Sequence, residues 1–307
     1  METKIVGFAG KMQSGKDSSC NLLYAIALRN MLKMTPFAEI NAEGKIVAED
    51  AEGNRQVLNV DSRHPEFMAF MAENVWPFIR KFSFAEPLKE TCQYILGLPE
   101  ESVWGTNEQK NQLTHLRWED MPAPAFVMKD GSIKYGGLED KQFEDSGIWS
   151  EWVYGVNSSD PRNPYYGMPK AGFMTGREVM EYFGTQIMRK MYPNVWADAL
   201  IRRIEAMNSK YATICDVRFP NEVEAIKNAG GKVIRLTLTT EEAANNTHIS
   251  NTALDEGVYD WNNFDAIIDN QNMTMQEAHA HILDKLIEWD FMKLETLEVA
   301  NDSNVSA

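Results

Sequence analysis

This chain is short of positive charge. Thirty Lys and Arg stand against 45 Asp and Glu, a formal net charge of −15 with a pI near 4.8. A protein built to hold duplex nucleic acid usually shows a basic face, so nucleic acid is not the expected main partner. The shortage is sharpest at the end, where no arginine follows Arg235. Cysteine is scarce too: Cys20, Cys92 and Cys215 in 307 residues, in apolar surroundings and without C-x-x-C spacing. That excludes a disulfide framework and fits the small buried thiols of a cytosolic protein. The five histidines show no metal-ligand spacing, and His279 and His281, two apart on an expected helix, read as surface residues. No apolar run reaches membrane-spanning length, and the residues after Glu2 and Lys4 include no long apolar region. Neither a membrane span nor a secretory leader is expected, and the expected location is the cytoplasm.

Apolar residues make up 44% of the chain, enough for a sizeable core. One α/β core with insertions is the economical arrangement at this length. The most informative stretch is KIVGFAGKMQSGKDSSCNLLYAI, residues 4–26. Ile5, Val6, Phe8 and Ala9 suit a buried parallel strand. Leu22, Leu23, Ile26 and Ala27 recur at helical spacing. Between them Gly10, Lys11, Met12, Gln13, Ser14, Gly15 and Lys16 form a glycine loop of the phosphate-binding kind. Its backbone N–H groups and the helix N-terminus suit phosphate oxygens, and Lys16 would reach the β- and γ-phosphates. The usual pattern places Ser or Thr after that lysine. Here Asp17 holds the position and Ser18 comes one residue late.

Farther along, residues 1–37 read as the start of the core and 38–62 as a hairpin-like insertion. Residues 63–104 return to the core, with a Met- and Phe-rich helix over 64–82, then a strand, a turn at Pro87 and a helix. Residues 105–174, rich in Gly, Pro, Trp and Tyr, read as an aromatic insertion that either packs or walls a flat base. Residues 175–292 alternate helices and strands, which implies a mostly parallel sheet with helices on both faces. Residues 293–307 read as a frayed tail.

Two further groups carry chemistry. In ICDVRFPNE, Asp216 ends an apolar strand and Arg218 points the same way two residues on. Asp216 there could hold Mg²⁺, or with Arg218 form a pair that caps the strand. Arg177, Gln186 and Arg189 share one helical stretch. Arginine forks onto phosphate, and glutamine reads a base edge or sugar. Solvated surface charge is the alternative for these, as it is for Arg202 and Arg203. Lys89 near a helix start is a similar candidate, and Trp118 is a candidate base wall.

GKMQSGKDS, FAEPLKE, TGREVMEYFGTQIMRK, CDVRFPNEVEAIKNAGG and THIS occur in this order. Together they resemble the bacteriophage-type deoxynucleoside monophosphate kinases, over most of residues 4–290. The resemblance implies a P-loop kinase fold, with ATP as phosphoryl donor, Mg²⁺ as cofactor and a nucleoside monophosphate as acceptor. It implies host cytosol as the location if the gene is a phage's. G-K-D followed by Ser or Thr is common in that family, so Ser18 or Asp17 serves the metal side. It places a lid near 239–257, where the family tends to have H-x-S-E and this chain has His248, Ile249, Ser250 and Asn251. With no arginine in that segment, Arg177, Arg189 and Arg218 are the expected cations for the acceptor phosphate. A kinase of another small acceptor, such as one like dephospho-coenzyme A, and a polynucleotide-directed kinase or DNA-sensing module are the rival readings. Neither monomer nor homodimer is excluded.

Overall fold

The apolar run after Lys4 forms strand β1 (Lys4–Ala9), whose residues Ile5 to Ala9 are all buried. The computed structural model describes residues 2–122, 125–128, 133–135, 167–245 and 249–292, with side chains outside 125–128, 133–135, 167–169, 245 and 249. The expected tail at 293–307, His248 of the expected lid and most of 123–166 lie outside the described residues.

From β1 the glycine loop leads into α1 (Lys16–Ile26), which runs on as a π-helical turn over Ala27–Met31. Three strands follow, β2 (Ala38–Ile40), β3 (Ile46–Glu49) and β4 (Arg55–Leu58), joined antiparallel in that order. Next come α2 (Pro65–Asn74), β5 (Ile79–Phe82) and α3 (Glu86–Tyr94). The helix expected over 64–82 therefore stops at Asn74, and its last residues are a strand. Pro87 is not a turn either; it is the second residue of α3, where a missing N–H costs nothing. The chain continues through α4 (Glu100–Trp104), α5 (Asn107–Lys110), β6 (Leu113–Arg117), β7 (Ala125–Met128), β8 (Ile133–Tyr135), β9 (Gly167–Pro169) and β10 (Phe173–Thr175). Helix α6 (Gly176–Glu181) passes into a π-helical run over Tyr182–Met188. The remaining elements are α7 (Val195–Met207), β11 (Tyr211–Val217), α8 (Pro220–Asn228), β12 (Lys232–Leu236), α9 (Glu241–Asn245), α10 (Ile249–Thr252), β13 (Ala266–Ile268) and α11 (Met275–Glu288).

Two compact units result, residues 1–86 with 196–307, and residues 87–195. The first is built on a five-stranded sheet in the order β13-β12-β1-β11-β5, with every pair parallel. Period-two alternation sorts its side chains between two cores. Val6, Phe8, Tyr211 and Cys215 pack with Cys20 and Leu23 of α1 and with Ile282 and Leu286 of α11. Ile5, Ala9, Ala212 and Ile214 pack against Leu200 and Ile204 of α7 and Val223 and Ile226 of α8. Helices thus cover both faces of a parallel sheet, as the alternation of elements predicts. The loops at the carboxyl ends of β1, β11 and β5 gather at one edge, the usual ligand position in such sheets.

The second unit has its own core of Cys92, Leu98, Val103, Trp118, Met174, Val179 and Tyr182. In it β6 pairs antiparallel with β10, and β7 with both β8 and β9. The predicted Thr cap opens α6: Thr175 Oγ1 accepts from the Glu178 N–H, and Glu178 Oε2 accepts from the Thr175 N–H at 2.8 Å. Among the described residues no helix is long and apolar enough to cross a membrane.

Candidate active site

The turn between β1 and α1 needs both its glycines, Gly10 for space and Gly15 for its backbone angle. A Cβ on Gly10 would stand 2.2 Å from Ser14 Oγ and 3.0 Å from the Leu236 carbonyl oxygen. Gly15 sits at φ 97°, in the left-handed region that favours glycine. Gln13 also has positive φ, 62°, and its amide is held from both sides. Its Nε2 donates to Glu242 Oε2 at 2.9 Å, and its Oε1 accepts from Thr240 Oγ1 at 3.1 Å. The Met12 N–H donates to Asn251 Oδ1 at 3.3 Å, and Asn270 Nδ2 donates to the Ser14 carbonyl at 3.1 Å. Lys11 Nζ lies 3.0 Å from Asp255 Oδ2, and the buried Arg235 approaches the same carboxylate at 3.8 Å. Segments after β12 and β13 therefore brace the loop's shape.

Lys16 is only 5% exposed. Its ammonium folds back to donate to the Lys11 carbonyl and lies 3.3 Å from Ser14 Oγ. Burial, and then the nearby Arg218 guanidinium, lower its pKa from the ordinary lysine value to about 8. The hydrogen-bond partners of Lys16 are neutral oxygens, while the carboxylates of Asp17 and Asp216 favour its charge from farther off. Next to it Asp17 is exposed, while Ser18 is buried. Ser18 Oγ donates to the Gly15 carbonyl at 2.8 Å and lies 3.3 Å from Nε2 of His279 on α11. His279 is therefore no surface residue, and burial lowers its pKa to about 4.

Asp216 and Arg218 leave the end of β11 beside this loop. The Asp216 carboxylate accepts from Ser83 Oγ at 2.5 Å and from the Phe84 and Ala85 N–H groups at 2.8 and 3.1 Å. It fixes the turn that leads from β5 into α3. The two residues are not an ion pair. Arg218 is held by its backbone, whose N–H donates to Glu222 Oε2 at 2.8 Å, and its half-buried guanidinium has no partner among the described residues. Two missed cations also emerge. Lys81 on β5 lies 2.8 Å from Asp61 and 3.5 Å from Asp17. In the second unit Lys110 has its pKa lowered by burial, then by Lys89 and Arg177.

The other predicted residues lie in the second unit. Arg177 donates to Asn107 Oδ1 at 2.9 Å and Asn111 Oδ1 at 3.2 Å. Lys89 Nζ stands 4.7 Å over the Trp104 ring. Gln186 and Arg189 are half-buried on the π-helical run and just after it. Trp118 is buried, edge-on to Tyr182 and covered by the Lys170 ammonium at 4.4 Å. Arg203 pairs with Glu86 at 3.4 Å rather than standing free in solvent. Among the described residues no three of His, Cys, Asp and Glu gather into a metal cage.

A parallel sheet with a tight glycine loop entering α1 defines an α/β fold of the P-loop kinase class. The chain is similar, at 27% identity over 154 residues, to a deoxynucleoside-5'-monophosphate kinase of Escherichia phage T5; the match covers 48% of this chain and 58% of that protein. It is also 24% identical over 218 residues, 67% of this chain and 81% of the other, to a protein of Acanthamoeba polyphaga mimivirus proposed to be a deoxynucleotide monophosphate kinase. No family model matches the chain.

Proposed function

We propose that the protein is a cytoplasmic phosphotransferase that uses ATP to convert deoxynucleoside monophosphates to diphosphates. The observation that carries this is the loop itself: a turn with no room for a side chain at Gly10, around a buried lysine whose hydrogen-bond partners among the described residues are neutral oxygens. Residues 10–16 would hold the donor's phosphates through their N–H groups, with Lys16 turning from the Lys11 carbonyl to the β- and γ-oxygens. A phosphate oxygen of the monophosphate attacks the γ-phosphorus as the bond to the β–γ bridging oxygen breaks, and ADP leaves. Arg218, whose guanidinium has no partner among the described residues and is close enough to Lys16 to lower its pKa, suits the phosphate that approaches from the acceptor side.

The exposed Asp17 carboxylate is a hard oxygen donor of the kind Mg²⁺ takes beside substrate phosphates. Ser18 and Asp216 are less free for that role, since each already has hydrogen-bond partners. When bound, Mg²⁺ neutralises charge on the transferring group. Arg177, Lys89, Gln186 and Arg189, in the second unit, are the side chains there whose chemistry suits a nucleotide. The names of the two relatives favour this acceptor over one like dephospho-coenzyme A. The direct test is ADP release with ATP and Mg²⁺ against a panel of deoxy- and ribonucleoside monophosphates and dephospho-coenzyme A. Turnover with at least one deoxynucleoside monophosphate is expected; release only with a non-nucleotide acceptor would overturn it.

A further inference from the structure

An aspartate next to a phosphate loop is an electrostatic problem. Asp17 occupies the position where such loops carry a neutral Ser or Thr, so its charge meets the same polyphosphate that Lys16 attracts. A full negative charge at this distance would weaken anion binding unless a cation offsets it.

The structure supplies that cation on β5. Lys81 is opposite Thr213 of β11 in the parallel register. Period-two alternation puts it on the side of Ile79, the side covered by α1. Its side chain is 11% exposed, and its Nζ lies 3.5 Å from Asp17 Oδ1 and 2.8 Å from Asp61 Oδ2. Both carboxylates are well exposed, at 76% and 62%. Asp61 closes the segment that follows β4, so one ammonium joins the insertion, the sheet and the start of α1. Burial opposes the charge on Lys81, but the carboxylates of Asp61 and Asp17 favour it.

We infer that Lys81 is a positioning residue that neutralises Asp17 and aims its carboxylate, so that a phosphate loop with aspartate after its lysine still accepts a polyphosphate. Asp61 competes for the same ammonium and sets how much of it Asp17 receives. The inference rests on the proposed nucleotide site and adds the group that makes Asp17 compatible with it.

The experiment is calorimetric binding of ADP with EDTA present, so that no metal contributes. Lys81→Met should weaken ADP binding by about fivefold, the upper range for a partly exposed charge pair, and Lys81→Arg should not. In an Asp17→Asn background the Lys81→Met effect should vanish. Asp61→Asn, an exposed change that leaves the core alone, should tighten binding by about twofold. Equal binding by wild type and a folded Lys81→Met protein would overturn the inference. So would an undiminished Lys81→Met effect with Asn at position 17, or weaker binding by Asp61→Asn. The last result decides the matter even if Lys81→Met fails to fold. A wild-type chain that does not bind ADP at all would instead overturn the phosphate-loop reading, and this inference with it.

Discussion

On the proposed reading nucleotide binding turns on Lys16, and the residue's state can be read from protons. Unliganded, burial and Arg218 hold its pKa near 8, so at pH 8.5 much of it is neutral. A polyphosphate favours the charged form and raises that pKa. ADP binding at pH 8.5 should therefore take up a sizeable fraction of one proton, seen as a dependence of the binding heat on the buffer's ionisation enthalpy. At pH 6.5 Lys16 is already charged and contributes no uptake. Lys16→Met should remove the uptake at pH 8.5 and most of the turnover, because this charge acts mainly on the transferring phosphoryl group. Uptake that persists in Lys16→Met would assign it to another group. Arg218 makes a second prediction at this scale. A charge-assisted bond to phosphate is worth roughly 1.5–3 kcal/mol. Arg218→Ala should thus raise the KM for the monophosphate about tenfold or more, and that for ATP less. An unchanged monophosphate KM would move the acceptor phosphate elsewhere.

Helix α11 reaches the loop through His279, and this contact has its own pH signature. The folded pKa of about 4 lies below the ordinary histidine value of 6.5. Between those values the unfolded chain binds more protons, so stability falls as pH drops from about 6.5 towards 4 and is level above that window. The full shift corresponds to about 3 kcal/mol. His279→Gln can keep a hydrogen bond to Ser18 but cannot titrate. Its melting temperature should fall less than the wild type's between pH 6.5 and 4.5, and parallel curves would contradict this. The same helix shows what could be read from residues alone. His279 and His281 do face different ways, but His279 lies three and four residues before Ile282 and Leu283, on the apolar stripe, so one of the pair had to point inward. Strand β1 was legible from its apolar run, and helix α8 from Pro220 at its start and Gly230 just past its end. Strand β5 was expected but placed late, from Lys81 on, since Arg80 and Lys81 break its apolar pattern; Arg80 is accommodated at the sheet edge by stacking on Trp76 and Phe82 at 4.3 and 5.0 Å. Asp61 and Asp17 lie far from Lys81 along the chain, and only the packing of β5, the start of α1 and the segment after β4 brings the three together. The loop's glycines and Lys16 follow a local pattern, whereas the partners of Lys81, Ser18 and Asp216 are tertiary.

At the scale of the whole molecule, net charge bears on the choice between a free nucleotide and a strand end as the proposed acceptor. At −15 the chain repels polyanions at long range, and each phosphate held on a nucleic acid needs its own local cation. A single nucleotide needs far less. On the proposed reading Lys16 and Arg218 of the first unit suit its kind of charge. A strand would need a continuous basic track, and its binding would weaken steeply with salt because every neutralised phosphate releases counterions. Phosphoryl transfer to free deoxynucleoside monophosphates should therefore proceed at physiological salt. A DNA oligonucleotide with a free 5′-hydroxyl should show neither phosphorylation nor measurable fluorescence-anisotropy binding, even at about 50 mM salt, where such contacts are at their strongest. Labelled phosphate on the oligonucleotide, at a rate comparable with that on the free monophosphates, would decide for the polynucleotide-directed reading instead. Binding to the oligonucleotide without transfer would point to a local basic groove that the net charge conceals, and raising the salt should then abolish it while leaving monophosphate turnover largely intact.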